Sequence, residues 1–242
     1  MLEVCCGSYL DAINAYKGNA KRIELNQALY LGGLTASLST LRLIKENLEL
    51  EVLCMVRPRG CGFKYLKEEL DEIFLSAKLL LENGADGIVF GFLTEDFRVD
   101  KVNTKKMIDL VHSYNKKAIF HRAIDLSSNY IADGLLLKDL GIDNILTSGT
   151  FDKAIDGVKL IKELNDLIKD KVNLVVGSGI NESNAKYILD STGVKDLHGS
   201  CKDYLYDNTT SNNNVSYRYL EDDRYESNSI EKIKKLVEII GE

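Results

Sequence analysis

Three times along this chain an amphipathic run ends in the same way: a glycine, one apolar residue, one charged residue, and then at once a short apolar strand. The joints are Gly84-Ala85-Asp86, Gly141-Ile142-Asp143 and Gly193-Val194-Lys195, and Gly18-Asn19-Ala20-Lys21 is a looser copy. Glycine just past a helix end accepts the left-handed conformation that closes off the last carbonyls, and the next apolar residue packs back on the helix. A joint repeated in this way requires helices and strands in strict alternation, which is the pattern of a parallel sheet.

Eight apolar runs fit that pattern: Leu2–Cys6, Arg22–Leu25, Glu51–Val56, Gly87–Phe90, Lys117–Phe120, Asn144–Thr147, Asn173–Val176 and Asp196–His198. Between them apolar residues recur at helical spacing, as in Leu66, Leu70, Ile73, Ala77 and Leu80, or Val158, Ile161, Leu164 and Ile168. Ser8, placed three residues before Asp11, is a cap for the first helix. Strand starts roughly 20 to 36 residues apart predict a single-domain (β/α)8 TIM barrel over 1–242. The competing architecture, an open doubly wound sheet, announces itself with a Gly-rich turn after the first strand. Here that strand ends in Cys5-Cys6-Gly7-Ser8. Residues 202–228 are polar and lack periodicity, so a mobile polar loop is expected there, with a closing helix over 229–241.

Composition excludes several functions. A formal net charge of −6 leaves no basic surplus for a general nucleic-acid binder. No apolar run is long enough to span a bilayer, and the N-terminus lacks the basic region and cleavage pattern of a signal peptide. Five cysteines, an odd number without Cys-x-x-Cys, point to free thiols in a reducing cytoplasm.

In a barrel the loops after the strands build the active site, and alternate strand residues point inward. Alternation pairs Glu3 with Cys5, Arg22 with Glu24, Met55 with Arg57, Ile119 with His121, Ile145 with Thr147, Val176 with Ser178, and His198 with Ser200. If the polar members face inward, one mouth receives Glu24, Arg57, His121, Thr147, Ser178 and His198. Two of the three histidines fall at strand ends. After the fifth strand, His121, Arg122 and Asp125 put a base, a cation and an acid close together. They serve proton transfer and substrate holding, or Arg122 and Asp125 pair across the loop.

Val56-Arg57-Pro58-Arg59-Gly60 holds the only proline. Two guanidinium groups on a stiffened turn can clamp a planar anion, or they pair with carboxylates on a solvated rim. The turns Thr147-Ser148-Gly149 and Gly177-Ser178-Gly179 offer backbone N–H groups of the kind that cradle phosphate. With Arg122, these describe a locally positive pocket for a small anionic, even phosphorylated, metabolite, with Glu24, His121, Asp125 and His198 as acid/base candidates.

Cysteine supplies a different chemistry. Copper(I) favours soft thiolates. Cys5 and Cys6 point to opposite faces of a strand, so they cannot chelate one ion together. The eighth strand adjoins the first in a closed barrel, which brings Cys201 towards Cys5. Burial as small apolar fillers is the other reading of both.

As a set, Leu2-Glu3-Val4-Cys5, Arg22-Ile23-Glu24-Leu25, Gly32-Gly33-Leu34-Thr35, Arg57-Pro58-Arg59-Gly60, Phe120-His121-Arg122-Ala123 and Leu146-Thr147-Ser148-Gly149, with the His198 strand, resemble the CutC family. The resemblance runs from residue 2 to about 200. It implies a cytoplasmic (β/α)8 barrel concerned with copper homeostasis, a homo-oligomer in some members, with Cys5 as the first thiol ligand. The family's second thiol follows the Arg-x-Glu-Leu motif, where this chain has Asn26. The family's Gly-Gly-Asp-Phe is Gly60-Cys61-Gly62-Phe63 here. The implied function is copper(I) binding at Cys5, with the two-thiol site restored only if Cys201 or Cys61 substitutes for the second cysteine; an anion-handling barrel enzyme is the alternative.

Overall fold

The structure, a computed structural model, describes residues 1–241. Eight parallel strands close into a barrel in chain order: β1 (Leu2–Cys6), β2 (Arg22–Leu25), β3 (Glu51–Met55), β4 (Gly87–Phe90), β5 (Lys117–Phe120), β6 (Asn144–Thr147), β7 (Asn173–Gly177) and β8 (Asp196–Gly199). Closure pairs β1 with β8 in the register Leu2↔Leu197, Glu3↔His198 and Val4↔Gly199. The helices are α1 (Tyr9–Lys17), α2 (Leu38–Asn47), α3 (Lys67–Glu82), α4 (Lys101–Ser113), α5 (Tyr130–Leu140), α6 (Val158–Ile168), α7 (Ala185–Thr192) and α8 (Ile230–Ile240). The (β/α)8 barrel expected from the sequence is therefore the fold.

The glycine joints do what their chemistry requires. Gly84, Gly141 and Gly193 take φ of 96°, 89° and 70°. At the looser joint the left-handed residue is Asn19, at 68°, while Gly18 stays at −79°. Gly18 is small for another reason: a Cβ there would come within 2.4 Å of Ile233 Cγ2, so it lets α8 lie against α1. Ser8 caps α1 as expected, accepting from the Asp11 N–H at 3.1 Å and donating to the Asp11 carboxylate at 2.8 Å.

Two apolar compartments flank the strands. The larger joins strand residues such as Val4, Ile23, Phe90, Ile145 and Val176 to helix residues including Ile44, Met107, Leu164 and Ile233. A small separate cluster of Leu53, Met55, Val89 and Ile119 fills the apolar half of the barrel interior. The other half, from β1, β2 and β8, is ionic: Glu3, Arg22, Glu24, Asp196 and His198.

Alternation misplaces two strands. Ile145 and Val176 belong to the outer cluster, so Thr147 and Ser178 face outward. On β6 it is Leu146 that lines the mouth, and on β7 a Cβ at Gly177 would meet Leu146 and His198. Parallel strands are apolar on both faces, so the sequence pattern carries no sign of which face is inner.

The ends of the segment read as an aperiodic loop pair with each other. β9 (Lys202–Tyr206) and β10 (Arg224–Asn228) form an antiparallel hairpin, from Asn228↔Lys202 to Arg224↔Tyr206. All of β9 is exposed, so no buried face left a periodic signal. Its base is tied to the barrel through Asn228, whose Nδ2 donates to the Ser200 and Cys5 carbonyls and whose N–H donates to Asp11. Its far end reaches the β2–α2 loop, where Tyr30 and Tyr219 lie 4.8 Å apart, centroid to centroid. No helix among the described residues is long and apolar enough to cross a membrane.

Candidate functional site

At the C-terminal mouth a cavity of about 280 Å³ is lined by Cys5, Glu24, Arg57, His121 and His198, with Met55, Phe63 and Leu146 as its apolar wall. Four residues that the sequence assigned to one mouth, Glu24, Arg57, His121 and His198, do meet there.

The ionic half is a connected chain. On β8, His198 donates from Nδ1 to Glu3 Oε1 at 2.8 Å, the residue directly opposite it on β1. Glu3 Oε2 lies 2.8 Å from Arg22 Nε, and Arg22 Nη2 donates to Asp196 at 2.7 Å. Asn173 also donates to Asp196, at 2.9 Å. Burial alone pushes the Glu3 carboxyl up, but the His198 hydrogen bond and the Arg22 charge outweigh it and hold Glu3 below the usual range. For His198, burial works against the charge; hydrogen bonds to Cys5 and Glu3 and the charge of Glu24 win, raising it well above an ordinary histidine. His198 Nδ1 is thus engaged behind the site, and Nε2 faces the mouth, 3.5 Å from Glu24 Oε2. Burial, then the nearby Glu3, pushes Glu24 to about 7 against the pull of His198. Its Oε1 is buried and unpartnered.

Cys5 completes this corner. Its Sγ, a Glu24 oxygen and a His198 nitrogen all lie within 4.8 Å of one another, the one such group of three metal-ligating side chains among the described residues. Burial raises the Cys5 thiol, offset in part by His198. Asn26 Nδ2 donates to Cys5 Sγ at 3.6 Å, so the residue in place of a second thiol still touches the first.

On the opposite wall His121 follows β5. Its Nδ1 accepts the Ala123 N–H at 3.1 Å, and its Nε2 is buried without a partner. Gly91 makes room for the ring, since a Cβ there would fall 2.4 Å from His121 Cε1. Burial first, then the Arg57 charge, lowers His121 to about 3 and keeps it neutral. Phe63 bridges these two side chains, 4.8 Å from the His121 ring and 4.9 Å from the Arg57 guanidinium carbon.

The arginines do not assemble into an anion clamp. Arg57 Nη1 donates to the carbonyls of Leu31, Gly32 and Gly33, and Nη2 donates to that of Cys61. It lines the cavity while fastening the β2–α2 loop to the turn after β3. Arg59 pairs with Glu69 and lies over Tyr65, outside the cavity. Arg122 reaches the rim but pairs with Asp125 at 2.9 Å.

The Thr147-Ser148-Gly149 turn already holds an anion of its own. The Asp125 carboxylate accepts from the backbone N–H groups of Ser148 (3.0 Å) and Thr150 (3.3 Å) and from both hydroxyls, Thr147 and Ser148. Ser178 donates to the Asp152 carbonyl, and Gly179 packs on Lys153, away from the cavity. Cys201 lies in the outer apolar cluster and is not part of the Cys5, Glu24 and His198 group. Glu3 was legible only as the face-mate of Cys5. Phe63 and Leu146 of the apolar wall lie within the motifs that carry the resemblance, but nothing in the sequence assigned them to the mouth.

This is a TIM barrel with a buried carboxyl, a half-buried thiol and a half-buried imidazole gathered at its mouth. The CutC family model matches residues 1–203, and the chain belongs to the CutC family. A CutC family protein of Treponema denticola is 39% identical over 240 residues, covering 98% of this chain and 97% of that one. The copper homeostasis protein cutC homolog of Homo sapiens is 36% identical over 202 residues, 84% of this chain and 73% of that protein. The crystal structure of CutC from Streptococcus agalactiae superposes with a TM-score of 0.77 at 28% identity, covering 83% of this chain and 98% of that one. A 3-hexulose-6-phosphate synthase from Salmonella typhimurium, at 14% identity and a TM-score of 0.62, shares the fold alone.

Proposed function

We propose that this member of the CutC family binds copper(I) in the cytoplasm, with the ion as cargo held at the mouth by Cys5 and His198. The observation that carries the reading is the approach of the Cys5, Glu24 and His198 ligand atoms to within 4.8 Å of one another. The Glu3–His198 hydrogen bond supports it: a carboxylate on the far nitrogen is the usual device for orienting a metal-binding imidazole. A thiolate and an imidazole suit copper(I), whereas the Glu24 carboxylate is a hard third donor. Asn26 supplies no second thiol, so the expected affinity is modest. The five free cysteines among the described residues support a reducing compartment.

Titration against a competing copper(I) chelator tests this. Wild type should bind one ion, Cys5→Ser should abolish binding, and Asn26→Cys should strengthen it by at least tenfold. Binding that survives Cys5→Ser unchanged, or no binding by wild type, removes the proposal.

A further inference from the structure

The copper reading leaves half of the cavity without a role. His121 presents a donor there. Because its Nδ1 accepts the Ala123 N–H, the proton of the neutral ring is on Nε2, and that N–H is buried without an acceptor. Arg57, with its charge beside His121, makes the same wall attractive to a carboxylate. On the ionic side, Glu24 Oε1 is an equally buried oxygen without a donor. All three side chains are at most 5% exposed. Buried polar groups in a native fold are nearly always paired, so unpaired ones in one cavity mark the polar ends of a missing molecule. Between them the wall is Met55, Phe63 and Leu146. The volume, about 280 Å³, exceeds what an ion needs and lies just below the usual range for drug-sized organic ligands, about 300–1,000 Å³, which suits a smaller molecule.

We infer that the mouth binds a short hydroxycarboxylate, whose carboxylate accepts from His121 Nε2–H and whose hydroxyl donates to Glu24. A phosphorylated compound is the poorer fit, because the backbone nest that would hold phosphate after β6 is filled by Asp125. The inference stands on His121 Nε2 and Glu24 Oε1 and needs no copper at Cys5.

The test uses metal-free protein, titrated calorimetrically with lactate and with propionate, which lacks only the hydroxyl, at an ionic strength matched with chloride. Failure here leaves the copper titration standing, and the reverse also holds. Lactate should bind saturably and propionate about tenfold more weakly, the loss of one hydrogen bond to a buried carboxyl. His121→Asn keeps an acceptor for the Ala123 N–H and removes Nε2, so it should fold as wild type and lose lactate affinity at least about tenfold. Nitrogen NMR should show the His121 proton on Nε2 and that resonance moving with lactate. Equal binding of both acids, lactate affinity unchanged in His121→Asn, a proton on Nδ1, or no saturable binding of lactate each overturns the inference.

Discussion

Glu3 and His198 are opposite each other where the barrel closes, and His198 Nδ1 donates to Glu3 Oε1 at 2.8 Å. The two residues are 195 positions apart in the chain, yet the hydrogen bond decides which nitrogen of His198 faces the cavity. It also couples the site to the ionic chain of Arg22 and Asp196 beneath it.

Glu3→Gln should expose that coupling. Arg22 would be left with Asp196 alone and His198 with Glu24 alone as counterions, so the loss should approach that of breaking a buried pair, about 3–5 kcal/mol. Copper(I) affinity should fall by roughly 10- to 100-fold, the usual effect of losing the outer partner of a histidine ligand. Chemical denaturation and chelator competition measure the two effects. Because Glu3 is held below its ordinary value, its stabilisation is present above the unfolded pKa near 4.5 and lost as pH falls. The variant should therefore show a shallower acid limb.

His121 predicts a second acid sensitivity. Its pKa is about 3 in the fold, against 6.5 when unperturbed. Between those values the unfolded chain binds the extra proton, so stability is full above about 6.5 and declines as pH falls towards 3. Denaturation midpoints from pH 7 to 4 should fall more steeply for wild type than for His121→Asn. Identical slopes would place His121 in contact with solvent.

Arg57 fastens two loops through four carbonyls. Arg57→Met should cost at least about 2 kcal/mol, since hydrogen bonds from a charged donor contribute about 1.5–3 kcal/mol each. For a chain of this size that is a drop of roughly 4–8 °C in Tm. Arg57→Lys should rescue little, because an ammonium cannot reproduce the forked geometry. A neutral outcome for Met in a thermal melt would return Arg57 to the role of a free anion clamp.

Asp125 should behave as a built-in anion. Removing it in Asp125→Ala frees the N–H groups of Ser148 and Thr150, and sulfate can then take the vacated nest. The variant should be less stable without sulfate and gain more in Tm on adding it than wild type does, with chloride as the ionic-strength control. An equal gain in both proteins would show that sulfate binds elsewhere.

The barrel itself was legible in the sequence because its signals are local. The capping of α1 by Ser8 and the left-handed glycines at 84, 141 and 193 depend only on residues within a turn or two. Apolar runs then place each strand to within a residue, and two neighbouring polar residues on alternate positions, Glu3 and Cys5, stay face-mates in any sheet. What the tertiary structure decided was everything that depends on which groups meet across the barrel. Thr147 and Ser178 turned outward because both faces of β6 and β7 are apolar, and alternation has no sign. Arg57 became a fastener because carbonyls of a loop more than 20 residues earlier reached it first. Asp125 filled the nest that the sequence offered to phosphate, and Cys201 joined the outer apolar cluster while Cys5 met Glu24 and His198. Each of those outcomes is a competition between partners for one buried group. Its winner is set by distance after the barrel closes, and a linear sequence carries no such distances.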